Sequence, residues 1–194
     1  MGFGLKKRNE VAGDIPVYQL VHEVSQGGYT LDTDGLIAGS IVPAGTVFIA
    51  NDTTRKAKPI KTATVVAVAA ADALVYQVAK GSHFANTDNI SLVLKGKAYP
   101  ATIDKSNALY DTLTVATTLG AAAIGAVIYQ SATTGATNSS LSGLPTGTLY
   151  ESAKVEANTS ITLALRATIY ARRIPGVPAD VKALLPLIIF SQSK

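Results

Sequence analysis

The sequence predicts a mainly β protein: an antiparallel sandwich or barrel-like domain with an extended N-terminal arm and at most one short C-terminal helix. Three observations predict it. Apolar residues recur with period two over short segments, the spacing that sends alternate side chains to opposite faces of a sheet. Turn formers punctuate the chain between those segments, with 16 glycines and 8 prolines among 194 residues, each suited to a sharp reversal. Val, Ile, Thr and Tyr fill the segments themselves, and these side chains fit a pleated, half-buried surface.

Residues 1–16 read as an arm: Gly2 and Gly4, a charged patch of Lys6, Lys7 and Arg8, then Gly13 and Pro16, with no sustained periodicity. Residues 17–35 read as a linking strand (VYQLVHEV, 17–24) and a loop that contains Gly27, Gly28 and Gly35. The β-rich domain is expected over 36–194. Within it, strands are predicted at 46–50 (TVFIA), 62–68 (TATVVAV), 73–78 (ALVYQV), 90–94 (ISLVL), 111–117 (DTLTVAT) and 126–130 (AVIYQ). The clearest lies at 161–171, where Ile161, Leu163, Leu165, Ala167 and Ile169 point one way and Thr162, Arg166, Thr168 and Tyr170 the other. A strand this polar on one side belongs in an antiparallel sheet, since all-parallel sheets bury both faces.

The alanine-rich stretches 67–73 and 121–123 have helical propensity, but their Val, Thr and Gly neighbours argue against a helix. The one helix expected covers 179–185, opened by Pro178 and stopped by Pro186. A turn followed by a strand recurs at 42–48 (VPAGTVF) and 144–150 (LPTGTLY), and 125–129 (GAVIY) is a third version without proline. Proline presets φ for the first corner of such a turn, and glycine accepts the positive φ that follows.

Composition narrows the function classes. Hydrophobic residues make up 47% and charged residues 15%, below the roughly 25% charged share of a typical soluble domain. With a mean hydropathy of +0.27, such a surface suits a protein packed against neighbours. The absence of cysteine removes disulfides, thiolate metal sites and cysteine nucleophiles. The longest apolar runs, near 65–71 and 183–190, fall far short of the roughly 20 residues that span a bilayer, so no membrane partner is expected. The N-terminus reads as neither a secretory signal nor a myristoylation site. The net charge of +4 is dispersed among Lys6, Lys7 and Arg8, the 55–61 segment, and Arg172 with Arg173. None of these cations is interleaved with aromatics, so solvated loops and partner contacts are expected in place of a nucleic-acid site.

Residues that could run chemistry are few. His22 and His83 are the only histidines and lack metal-ligand spacing, so no metal or cofactor is expected. The phosphate-cradling, dinucleotide and serine-nucleophile motifs are absent. Paired carboxylates could hydrolyse glycosides, and Asp32 with Asp34, or Asp104 with Asp111, are close in sequence. Aspartate bonding its own backbone two residues on explains the pairs more simply. The expectation is therefore a structural protein and not an enzyme.

Three segments carry a resemblance: 42–84 (VPAGTVFIANDTTRKAKPIKTATVVAVAAADALVYQVAKGSHF), 98–130 (AYPATIDKSNALYDTLTVATTLGAAAIGAVIYQ) and 164–193 (ALRATIYARRIPGVPADVKALLPLIIFSQS). They resemble head fibre and capsid decoration proteins of tailed bacteriophages of Bacteroidetes hosts, the crAss-like phages among them. The likeness spans 36–194. The chain departs from the Gly-Asp turn associated with that family, having NTDNI at 86–90 and IGAVI at 124–128. The resemblance implies a virion protein on the capsid exterior that binds the major capsid protein in many copies. Neighbouring copies of itself or other head proteins would be further partners, often in a trimer or another small oligomer. On this reading Lys6, Lys7, Arg8, Arg172 and Arg173 are the candidate capsid-binding residues, with the arm ordering on its partner. The alternative is a host-surface adhesin or carbohydrate-binding β module, which would need an aromatic platform that the eight tyrosines and absent tryptophan do not make evident.

Overall fold

The computed structural model describes residues 16–192, and over them the chain is mainly β with one short helix. Strands form at the segments that the period-two pattern predicts, but with altered bounds: 62–68 is a strand only over Thr62–Thr64, and 161–171 divides into Ser160–Ile161 and Leu163–Tyr170. In β10 (Tyr110–Val115), Asp111, Leu113 and Val115 are buried while Thr114 is exposed. The strand β7 (Val75–Ala79) buries Tyr76 and Val78, and the two pair antiparallel with Leu113 opposite Tyr76. On its other side β10 pairs with β9 (Ala98–Asp104), β9 with β8 (Asn89–Ser91), β8 with β11 (Val127–Gln130), and β11 with β6 (Thr62–Thr64). The ring closes where Val65 bridges Val78 and the Val66 N–H donates to the Gln77 carbonyl at 2.9 Å. The result is a six-stranded barrel whose interior holds Val65, Tyr76, Phe84, Ile90, Leu113 and Ile128. A barrel this small is filled by its own side chains.

The chain before and after the barrel builds an eight-stranded sheet. Its order is β1 (Tyr18–Val24), β15 (Leu163–Tyr170), β12 (Gly147–Leu149), β4 (Val47–Asn51), β5 (Lys56–Pro59), β2 (Tyr29–Leu31) and β14 (Ser160–Ile161). A further strand, β16 (Ile188–Ser191), runs parallel to the second half of β15. The long amphipathic strand thus has β1 along one side and β12 followed by β16 along the other. Residues 17–35, read as a link, contribute β1 and β2 to this sheet. Apart from β15–β16, the β2–β5 pair is also parallel, whereas the remaining pairs of both sheets are antiparallel. A small separate ribbon joins β3 (Ile41–Val42) to β13 (Ala153–Lys154).

The helix α1 (Ala179–Ala183) begins after Pro178, as the proline predicts, and turns Val181 into the core. The alanine-rich stretches are not helical: Ala69 and Ala122 bridge each other across the end of the barrel. The two matching turn segments meet in space. Gly147 lies opposite Phe48 and Thr148 opposite Val47, so the repeat in sequence becomes an antiparallel pair between β4 and β12. Barrel and sheet share a third core, in which Tyr129 of β11 packs with Val47, Ile60, Ile169, Val181 and Ile188. Asp180 of the helix reinforces the junction by accepting from the Leu94 N–H at 2.5 Å.

Candidate interaction site at the root of the arm

The first described residues are pinned to the sheet by specific bonds. The Pro16 carbonyl accepts from Arg173 Nη1 at 2.9 Å, and the Val17 carbonyl accepts from the Tyr170 N–H at 2.9 Å. The Tyr18 hydroxyl donates to the Leu149 carbonyl at 2.5 Å and lies 3.0 Å from Thr148 Oγ1. Burial pushes this phenol up to about 12, against the opposing pull of the Thr148 bond, so it stays a neutral donor. Its ring tilts against Tyr150 with centroids 5.5 Å apart. Gly45 belongs to the same corner. It holds φ +80°, and a Cβ there would collide with Ile174 and come within 3.1 Å of Val17.

Arg172 and Arg173 follow the end of β15, where the Arg173 N–H turns back to the Tyr170 carbonyl at 2.9 Å. Both are exposed. The Arg173 guanidinium lies 4.4 Å over the Tyr170 ring, a contact that favours a flat delocalised cation. Of the five cations expected to contact a partner, Lys6, Lys7 and Arg8 lie outside the described residues. Of the other two, Arg173 reaches the Pro16 carbonyl and Arg172 is its neighbour in sequence; the arm expected over 1–16 lies, apart from Pro16, outside the described residues. Chemically, this corner offers two adjacent exposed guanidinium groups, which suits recognition of a carboxylate-bearing surface.

The cationic segment 55–61 departs from the expected solvated loop. Arg55 donates to the Gln26 and Gly28 carbonyls at 2.9 and 2.5 Å and covers the Tyr29 ring at 4.3 Å. Lys56 to Pro59 form β5, which buries Ala57 and Pro59. Lys61 is 4% exposed, and its ammonium pairs with Asp88 at 2.7 Å. Asp88 also accepts from the Ala85 N–H and from Gln130 Nε2, each at 2.9 Å. These are intramolecular duties, because a buried ammonium needs a carboxylate beside it.

The carboxylate pairs separate in space and role. Asp32 accepts from the Asp34 N–H at 3.2 Å, and Asp104 from the Ser106 N–H at 2.9 Å, the local turns that the sequence predicts. The Ser106 bonds hold the Asp104 carboxyl below its usual range. Asp111 departs from the turn explanation: it is buried and pairs with Lys80 at 2.7 Å. His22 is exposed on β1. His83 Nε2 lies 3.2 Å from the Ile41 carbonyl, joining the barrel to the β3 ribbon. A crevice of about 280 Å³ opens where barrel meets sheet, lined in part by Ile49, Lys58, Asn89, Gln130 and Leu141. Its acid is Asp88, which Lys61 already neutralises.

No family model, curated protein or solved structure matches this chain. No helix among the described residues is long and apolar enough to cross a membrane. Sequence reasoning missed the Lys61–Asp88, Lys80–Asp111 and His83–Ile41 contacts, whose partners lie 27, 31 and 42 residues apart. No local pattern encodes such pairs. The arm root is similar: Arg173 and Pro16 are 157 residues apart, and only the dibasic 172–173 pair marked one half of it.

Proposed function

We infer that this chain is a structural virion protein that decorates or reinforces the outer surface of a bacteriophage capsid by binding the major capsid protein. The observation that carries the reading is the likeness of 42–84, 98–130 and 164–193 to head fibre and capsid decoration proteins. Those segments supply strands to both the sheet and the barrel. The weakly charged surface and the cationic corner at the arm root support it as well. Residues 1–15 with Lys6, Lys7 and Arg8 form the anchor, and Arg172 with Arg173 extends it on the folded body.

Capsids lacking the protein, mixed with purified full-length chain and pelleted, test this reading. The chain should co-sediment and saturate at a fixed number of copies per shell. Removal of residues 1–15, or Arg172→Ala with Arg173→Ala, should weaken that binding. A chain that stays in the supernatant at every ratio is not a decoration protein of that capsid.

A further inference from the structure

The crevice where the barrel meets the sheet has the mixed lining of a small-molecule site. At about 280 Å³ it combines an apolar wall of Ile49, Pro59 and Leu141 with the polar groups of Thr87, Asn89 and Ser142, the composition that orients a ligand while burying it. Neither the Asn89 carboxamide nor the hydroxyls of Thr87 and Ser142 hydrogen-bond to another described residue. Asp88, also in the lining, is held rigidly by Lys61, Ala85 and Gln130. Its Oδ1 accepts from Gln130 alone, which leaves acceptor capacity for one further donor.

Thr87 marks this place as more than a packing seam. It holds φ +74° and is the one β-branched residue among the non-glycine residues of positive φ in the described chain. Such a residue keeps that conformation only where its surroundings impose it. Here the Thr87 N–H donates to the Ala101 carbonyl at 2.9 Å, and the Ala101 N–H returns to the Asp88 carbonyl at 3.0 Å. Glycine would serve this backbone at lower cost, so a hydroxyl-bearing side chain at 87 points to a use beyond folding. Thr87 also lines a second, more open groove of about 470 Å³ with Pro100, Thr102 and Thr114. The crevice and the groove therefore adjoin at Thr87 and make one elongated cleft.

The chemistry of the lining selects the ligand. Lys58 and Asp88 are the only charged residues along the cleft, and each is matched, Lys58 by Asp34 at 3.7 Å and Asp88 by Lys61 at 2.7 Å. A cation or an anion would meet no unbalanced partner. No aromatic side chain lines the cleft, so it offers a nucleobase nothing to stack on. Hydroxyl and amide groups beside aliphatic ones fit a neutral pyranose, which presents hydroxyls at its edge and C–H bonds on its faces. We propose that this cleft binds a short neutral oligosaccharide, with Asn89, Asp88 and Thr87 bonding its hydroxyls. This site is separate from the cationic corner and independent of capsid binding.

Amide chemical-shift mapping of the full chain by NMR tests the cleft, with maltotriose, cellotriose, mannotriose and chitotriose as neutral probes at millimolar concentration. At least one should shift the amides of Thr87, Asn89 and Ser142 saturably and leave that of Leu109, elsewhere on the barrel, unmoved. Asn89→Ala should weaken this binding by about tenfold through its lost hydrogen bonds. Thr87→Gly should weaken it several-fold while the melting temperature holds, because glycine accepts the positive φ without strain; a purely structural Thr87 would not separate the two readouts. Inorganic phosphate and a blocked triserine peptide, probes of an anion site and a peptide site, should leave these amides unmoved. No saturable shift with any of the four trisaccharides, binding that survives both substitutions, or equal binding of the peptide would each overturn the proposal. Since the free chain is titrated, none of these outcomes bears on capsid binding.

Discussion

His83 shows how one side chain couples two parts of this molecule. Its Nε2–H donates to the Ile41 carbonyl, while Nδ1 is buried without a partner. A proton on Nδ1 would gain no acceptor and would sit near Lys61 and Lys105. Burial first, and these two lysines after it, hold the imidazole below its usual value against the pull of the Ile41 bond. The unfolded chain then takes up the proton more readily, so stability is full above the unfolded pKa of about 6.5 and declines as pH falls through it. Urea midpoints should therefore drop between pH 7.5 and about pH 5, and the drop should shrink in His83→Gln. An unchanged drop in that variant would assign the effect to other groups. The Lys61–Asp88 pair makes a second residue-scale prediction. Asp88→Ala strands a buried ammonium and two donors, so urea unfolding should show a loss of about 3–5 kcal/mol. Lys61→Met with Asp88→Leu removes both charges and should cost clearly less.

At the scale of elements, two glycines of the repeated turn have different duties. Gly45 carries the positive φ, but Gly147 does not, and is needed for space: a Cβ there would lie 2.5 Å from the Ala164 carbonyl oxygen of β15. Backbone cannot step aside as a side chain can, so Gly147→Ala should destabilise by at least about 1–3 kcal/mol. Gly39→Ala is the control, because Gly39 has φ +78° with nothing within 4 Å, and should cost only about 1 kcal/mol of backbone strain. Thermal or urea unfolding of the two variants separates them. Strands such as β10 and β15 are legible in the sequence because one face is apolar and the other polar. By contrast, β5 (Lys-Ala-Lys-Pro) hides its alternation, since its inward residues are small and its outward ones cationic. The pattern of β9 is interrupted by Pro100, and β16 follows an apolar run after Pro186 whose period is unreadable. These strands are specified by their neighbours: β5 lies between β4 and β2, and β16 against β15.

For the whole molecule, the arrangement is a barrel inserted between β5 and β12 of a sheet built from both chain ends. The mainly β class with one short helix was legible from periodicity and turn chemistry. The division into barrel and sheet was not, because both have the same strand lengths and the same turns. Tyr129 joins the two, fully buried in the shared core with its hydroxyl donating to Ser139 Oγ at 3.2 Å. Tyr129→Ala should cost about 3–5 kcal/mol and split a single unfolding transition into two, read by calorimetry. Such a closed body carries an exposed cationic corner at Arg172 and Arg173 on the sheet. The central claim is that this molecule serves a virion exterior. Electron microscopy of mature particles with and without the protein tests it most directly. The account predicts difference density of this fold outside the shell, repeated over the capsid lattice and touching the major capsid protein. Particles in which that density is missing, with the chain undetectable in their protein complement, would contradict it.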